Sequence, residues 1–120
     1  MCPIERRISG AALCLDLNEE RRIVADEAIL ARSGRNARTL VKEGPLRITL
    51  ITLAPGGEIP THRADGPMAV QVLEGSMRVD VGDTSYTLEA GELLSLPGRE
   101  EHAVASAEGA TFLLTIAHVA

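Results

Sequence analysis

Beyond Gly34 the chain is a succession of short runs rich in Thr, Val, Ile and Leu, each stopped by glycine, proline or aspartate. Runs of this length, repeated at roughly 8–12-residue spacing, point to antiparallel strands joined by tight turns and not to helices. Ala37 to Val41 and Leu46 to Leu53 flank Glu43-Gly44-Pro45, and Ala54-Pro55-Gly56-Gly57 closes the second run. From Ser76 to Val81, Met77, Val79 and Val81 alternate with Arg78 and Asp80, which is the period of a strand with one buried face. Gly82-Asp83 joins that strand to Thr84 to Leu88 as a two-residue hairpin. Further strands are predicted at Met68 to Glu74, Glu92 to Leu96, His102 to Ser106 and Thr111 to Val119. The pattern as a whole predicts an all-β barrel or sandwich.

The stretch before Gly34 has a different period. Asn18 to about Ser33 reads as one helix, with Asn18 as its cap, Glu19 and Glu20 near its positive end, and Arg32 and Arg35 near the other. Ile23, Val24, Ala28, Leu30 and Ala31 form its apolar face, and Gly34 ends it. At 120 residues the chain has room for one core, so residues 1–37 are expected as an N-terminal segment carrying a short helix, and residues 38–120 as the barrel.

Charge and aromatic content exclude several partners. A net charge of -5 with scattered basic residues offers no footprint for a phosphate backbone, so no nucleic acid is expected. Tyr86 and Phe112 are the sole aromatics, which predicts a small aliphatic pocket without stacking platforms. Arg6 and Arg7 precede the apolar run from Ile8 to Leu15, but Asp16 interrupts it well short of the ~20 residues of a membrane span. Cys2 and Cys14 are too few for a disulfide framework, so a reducing cytoplasm is the expected location, with no membrane partner.

Two histidines carry the chemistry. His62 follows the turn Gly57-Glu-Ile-Pro-Thr, and His102 ends Gly91-Glu-Leu-Leu-Ser-Leu-Pro97-Gly-Arg-Glu-Glu, with Gly75 between them. The spacing of Gly56, His62, Gly75, Gly91, Pro97 and His102 resembles the paired motifs of the cupin family, in the form of a small single-domain bacterial cupin. The resemblance implies a cupin-like antiparallel β-barrel, also called a double-stranded β-helix or jelly roll. It also implies metal ligands at the positions of His62, Ala64, Met68 and His102, of which only the two histidines keep imidazole donors. Arg99 stands where the motif has glycine, and Ser106 where it has asparagine.

Two imidazoles fall short of the three or four protein ligands that zinc- or iron-type ions usually take. Met68 is either a soft thioether ligand suited to copper(I) or an apolar filler. Glu58 and Asp65 are the nearest carboxylates to His62, and Gln71 reaches inward only if a bulge turns it. Strand alternation puts Met68, Val70 and Val72 on one face, and Val104 on the face of His102. The expected site is therefore a pocket in which His62 and His102 are the polar contacts and Met68, Val70, Val72 and Val104 are the walls. Its expected occupant is a small aliphatic or carboxylate-bearing molecule, with a weakly held divalent transition metal on the two histidines. The alternative is a metal-dependent oxygenase or isomerase acting on a small metabolite. His118 is expected to pack near the chain end, and Lys42, the sole lysine, lies outside the motifs. A homodimer is expected from the exposed edge that Ala37 to Val41 would present.

Overall fold

The computed structural model describes Cys2 and residues 7–119; Arg6 and the side chain of Ala28, both named above, lie outside the described residues. Eight strands form a curled antiparallel sheet: β1 (Arg35–Glu43), β2 (Leu46–Leu53), β3 (Glu58–Arg63), β4 (Met68–Val81), β5 (Thr84–Glu89), β6 (Leu93–Leu96), β7 (Glu101–Ala105) and β8 (Ala110–Ala117). Their order is β1-β2-β8-β4-β7-β3, with β5 and β6 pairing with β4. The chain is thus mostly β, as its turn-punctuated pattern predicts.

Three elements differ from expectation. The single helix is two, α1 (Leu17–Val24) and α2 (Glu27–Ser33). Each has its own aspartate cap: Asp16 accepts from the backbone N–H groups of Asn18 and Glu19, and Asp26 from that of Ile29. The cap at Asp16 puts Asn18 inside α1, so Asn18 is not its cap, and the acceptor at Asp26 starts a separate helix. Second, the runs Met68 to Glu74 and Ser76 to Val81 are one strand, β4. Its ladder with β8 shifts register between Val72 and Glu74 and ends at Gly75, after which β5 and β7 are its partners; Gly75 adopts φ 78°. A Cβ at Gly75 would stand 2.2 Å from the carbonyl oxygen of Gly109, so glycine is required both by conformation and by space. Third, β3 runs through the segment that the sequence reads as the turn before His62, and it contains Pro60. The proline is tolerated because β3 ends the strand order, where a missing donor costs no ladder bond.

The core has two parts. Inside the curl, Ile51, Leu53, Met68, Val70, Val72, Met77, Val79, Leu88, Leu96, Val104, Ala110 and Phe112 form one cluster. On the outer face, Val24 of α1 packs with Leu40 and Leu50, which ties the N-terminal segment to β1 and β2. The buried Glu20 carboxylate accepts from Arg38 across the same interface. Ahead of α1, Cys2 and Cys14 are joined by a disulfide with their Cα atoms 5.2 Å apart. That pairing was not expected of two isolated cysteines. Among the described residues, no helix is long and apolar enough to cross a membrane.

Candidate functional site

His62 and His102 are direct partners in the β3–β7 ladder. Their rings meet edge to face with centroids 4.2 Å apart. His62 is exposed on the outermost strand, while His102 is only 2% exposed. The two positions that the motif spacing singled out are therefore brought together at one mouth of the curl.

Backbone geometry decides which nitrogen each ring presents. The His62 Nδ1 lies 3.0 Å from the carbonyl oxygen of Pro60, and the His102 Nδ1 lies 3.0 Å from that of Glu100. A carbonyl oxygen only accepts, so both Nδ1 atoms carry a proton, and the neutral form of each ring has its lone pair on Nε2. On β3 this follows from Pro60: the ladder is irregular between Ile59 and His62, which leaves the Pro60 carbonyl free to face the ring. The same arrangement, one ring N–H tied to a carbonyl and the other nitrogen bare, is typical of histidines that bind a metal or a ligand.

Electrostatics separates the two rings. Burial pushes the His102 pKa below the usual histidine value, and repulsion from His62 adds to this; the hydrogen bond to the Glu100 carbonyl opposes it. His102 is thus held neutral. Beside the pair, Arg63 and Glu101 are also ladder partners and form an exposed ion pair at 2.8 Å.

Burial and hydrogen bonding describe the remaining expected site residues. Met68, Val70, Val72 and Val104 are all buried members of the inner cluster, packed among its other apolar side chains. Ala64, at a motif ligand position, is half-buried against the same cluster. Gln71 is exposed despite the nearby bulge, and the exposed Glu58 and Asp65 leave the His62 Nδ1 to the Pro60 carbonyl. The backbone N–H of His118 donates to the Pro45 carbonyl. Among the described residues, no three His, Cys, Asp or Glu side chains are gathered for a metal ion. A divalent centre of the usual three or four protein ligands therefore does not fit the residues present. A crevice of about 370 Å³ opens at the other end of β7, lined by Gly56, Gly57, Arg78, Thr87, Ala105 and Ser106 among others.

Two features were not foreseen. Arg99 has φ 69°, a left-handed backbone in a non-glycine residue, and its N–H donates to the Ala64 carbonyl beside the mouth. The motif glycine at this position was the available signal. Ser106 closes the far end of β7: its Oγ donates to the Ser76 carbonyl at 2.6 Å and accepts from Gly109 N–H at 2.9 Å.

Comparison with known proteins agrees with this architecture. The family described as Cupin domain matches residues 49–117, more than half of the chain, and the chain belongs to the cupin family. It is similar to a conserved Streptococcus pyogenes protein of unknown function, at 27% identity and TM-score 0.75, covering 95% of this chain and 94% of that one. It also resembles in fold a salicylate 1,2-dioxygenase mutant from Pseudoaminobacter salicylatoxidans, at 16% identity and TM-score 0.79, over 94% of this chain but 37% of that one. KdgF from Halomonas sp. shares the fold at 15% identity and TM-score 0.64, covering 72% of this chain and 81% of that one. No curated protein matches the chain.

Proposed function

We propose that this cupin binds a small, largely aliphatic molecule at the mouth of its barrel, with the Nε2 atoms of His62 and His102 as paired hydrogen-bond acceptors. The observation that carries this reading is the locked tautomer: both Nδ1 atoms are committed to backbone carbonyls, so two imidazoles in contact each have an Nε2 lone pair to spare. Two neutral acceptors favour a ligand head that donates, such as a hydroxyl. A carboxylate head needs one ring to be imidazolium, a form that desolvation disfavours at His102. Apolar contact would come from the inner cluster that holds Met68, Val70, Val72, Val104 and Leu96. A divalent transition metal would be held through the same two nitrogens, weakly, because Ala64 and Met68 supply neither imidazole nor carboxylate. A metal-dependent oxygenase or isomerase would need a third strong donor at those positions.

Thermal-shift screening of small alcohols, diols and carboxylic acids, with and without Mn, Fe, Ni, Cu and Zn, tests the reading. A ligand present at a hundred times its dissociation constant stabilises by roughly 2.7 kcal/mol. Shifts that disappear in both His62→Ala and His102→Gln support the proposed site, whereas shifts indifferent to both place binding elsewhere. Stoichiometric metal retained after both replacements would overturn the assignment of the metal to this pair.

A further inference from the structure

We infer that Cys2 and Cys14 form a redox clasp that holds the N-terminal arm over the free edge of β1, and that opening the clasp lets a second copy of the chain pair there. β1 ends the strand order, with β2 on one side only. An edge with unpaired backbone groups is a template for another strand unless something covers it. Here the arm is the cover: Lys42 N–H donates to the Ile8 carbonyl at 2.6 Å, and Gly10 N–H donates to the Glu43 carboxylate at 2.9 Å. The disulfide closes residues 2–14 into a loop, and both contacts to β1 are made from within it, by Ile8 and Gly10. Between arm and sheet is an apolar crevice of about 400 Å³, with Leu13 and Leu15 on the arm side and Val41, Leu46 and Ile48 on the sheet side.

Charge identifies the occupant as a second copy. β1 begins at Arg35 and ends at Glu43, so two β1 strands laid antiparallel place each arginine end against the other's glutamate end. In the clasped state Glu43 is already engaged by Gly10 N–H. Release of the arm frees that carboxylate, the Lys42 N–H and the apolar strip at Val41, Leu46 and Ile48 together. The step is thiol–disulfide exchange with a dithiol reductant. One reductant thiolate attacks a cysteine Sγ, the Cys2–Cys14 bond breaks and a mixed disulfide forms; the second reductant thiolate then displaces the attached cysteine. The clasp gains two electrons and two protons as two thiols, and the reductant becomes a disulfide.

Light scattering after gel filtration, at micromolar protein, tests the inference. Oxidised protein is expected to elute as a monomer, and protein reduced with dithiothreitol, or carrying Cys14→Ser, as a dimer. Arg35→Glu in the Cys14→Ser background should return it to monomer, and adding Glu43→Arg should restore the dimer. In an Arg35→Glu protein that keeps both cysteines, amide exchange at Lys42 should accelerate at least tenfold on reduction, reporting arm release separately from association. The same mass in both redox states, a dimer insensitive to the charge reversal, or unchanged Lys42 exchange would each overturn the clasp.

Discussion

The two ends of β7 treat polar side chains in opposite ways. At the far end Ser106 is closed upon its surroundings: its N–H donates to the Gly57 carbonyl, its carbonyl accepts from Gly56 N–H, and its hydroxyl bridges Ser76 and Gly109. At the near end His62 and His102 each satisfy one nitrogen and leave the other bare. A buried polar group whose capacity is exhausted holds the fold together; one with capacity to spare is built to meet something else. The family resemblance marks both ends equally, since Ser106 and His102 both occupy motif positions, and only the hydrogen bonds separate them.

The contrast breaks most severely at Gly75, whose φ and whose closeness to Gly109 set the path of β4 past Ser76 and Ser106. Gly75→Ala should cost roughly 3 kcal/mol or more, through left-handed strain and the clash with backbone. Urea denaturation measures it, and a loss under ~1 kcal/mol would mean that the strand shifts to accommodate the methyl. Ser106→Ala comes next, at about 1–3 kcal/mol, because it leaves the Ser76 carbonyl and the Gly109 N–H without their partner. Ligand affinity at the mouth should be unaffected by Ser106→Ala once it is assayed well below the melting temperature.

Much of the fold was legible because strand alternation and turn chemistry are local. Met77, Val79 and Val81 against Arg78 and Asp80, followed by Gly82-Asp83, state their hairpin without tertiary help. Non-local effects were not legible. Pro60 reads as a strand breaker until β3 is known to be an edge, and the continuity of β4 through Gly75 depends on Gly109, far along the chain. Asp26 as a second helix cap was visible in principle, but a continuous apolar face overrode it. At the site, motif spacing pointed to His62 and His102. Their tautomers were out of reach, since those are fixed by where the Pro60 and Glu100 carbonyls point. Packing of Met68, Val70, Val72 and Val104 into the core likewise depends on what faces them across the curl.

A smaller effect sharpens the comparison through pH. His102 is buried neutral, with its pKa below that of the unfolded chain, so between those two values the unfolded state binds more protons than the folded one. Stability should therefore be fully present above about pH 6.5, fall as the pH drops below it, and level off once the pH is under the folded value. Melting temperatures from pH 8 to pH 5 should show this decline in the parent protein and a flatter profile in His102→Gln. Ser106→Ala should keep the parent slope. Equal slopes in parent and His102→Gln would mean that another group supplies the pH dependence.

The smallest expected stability change belongs to His62→Ala, and it is the most informative about function. His62 is exposed and its one hydrogen bond is to a local carbonyl, so its loss should change stability by no more than ~0.5 kcal/mol. It should nonetheless remove half of the paired acceptor and with it the ligand-induced thermal shift. It should also raise the His102 pKa, because the repulsion from His62 that helps to hold it down would be gone. Proton-detected titration of the His102 ring in His62→Ala reads this directly. An upward shift together with loss of ligand response fits two rings acting as one site. An unmoved titration with ligand response intact would reduce His62 to a surface residue and leave the mouth as well closed as the far end of β7.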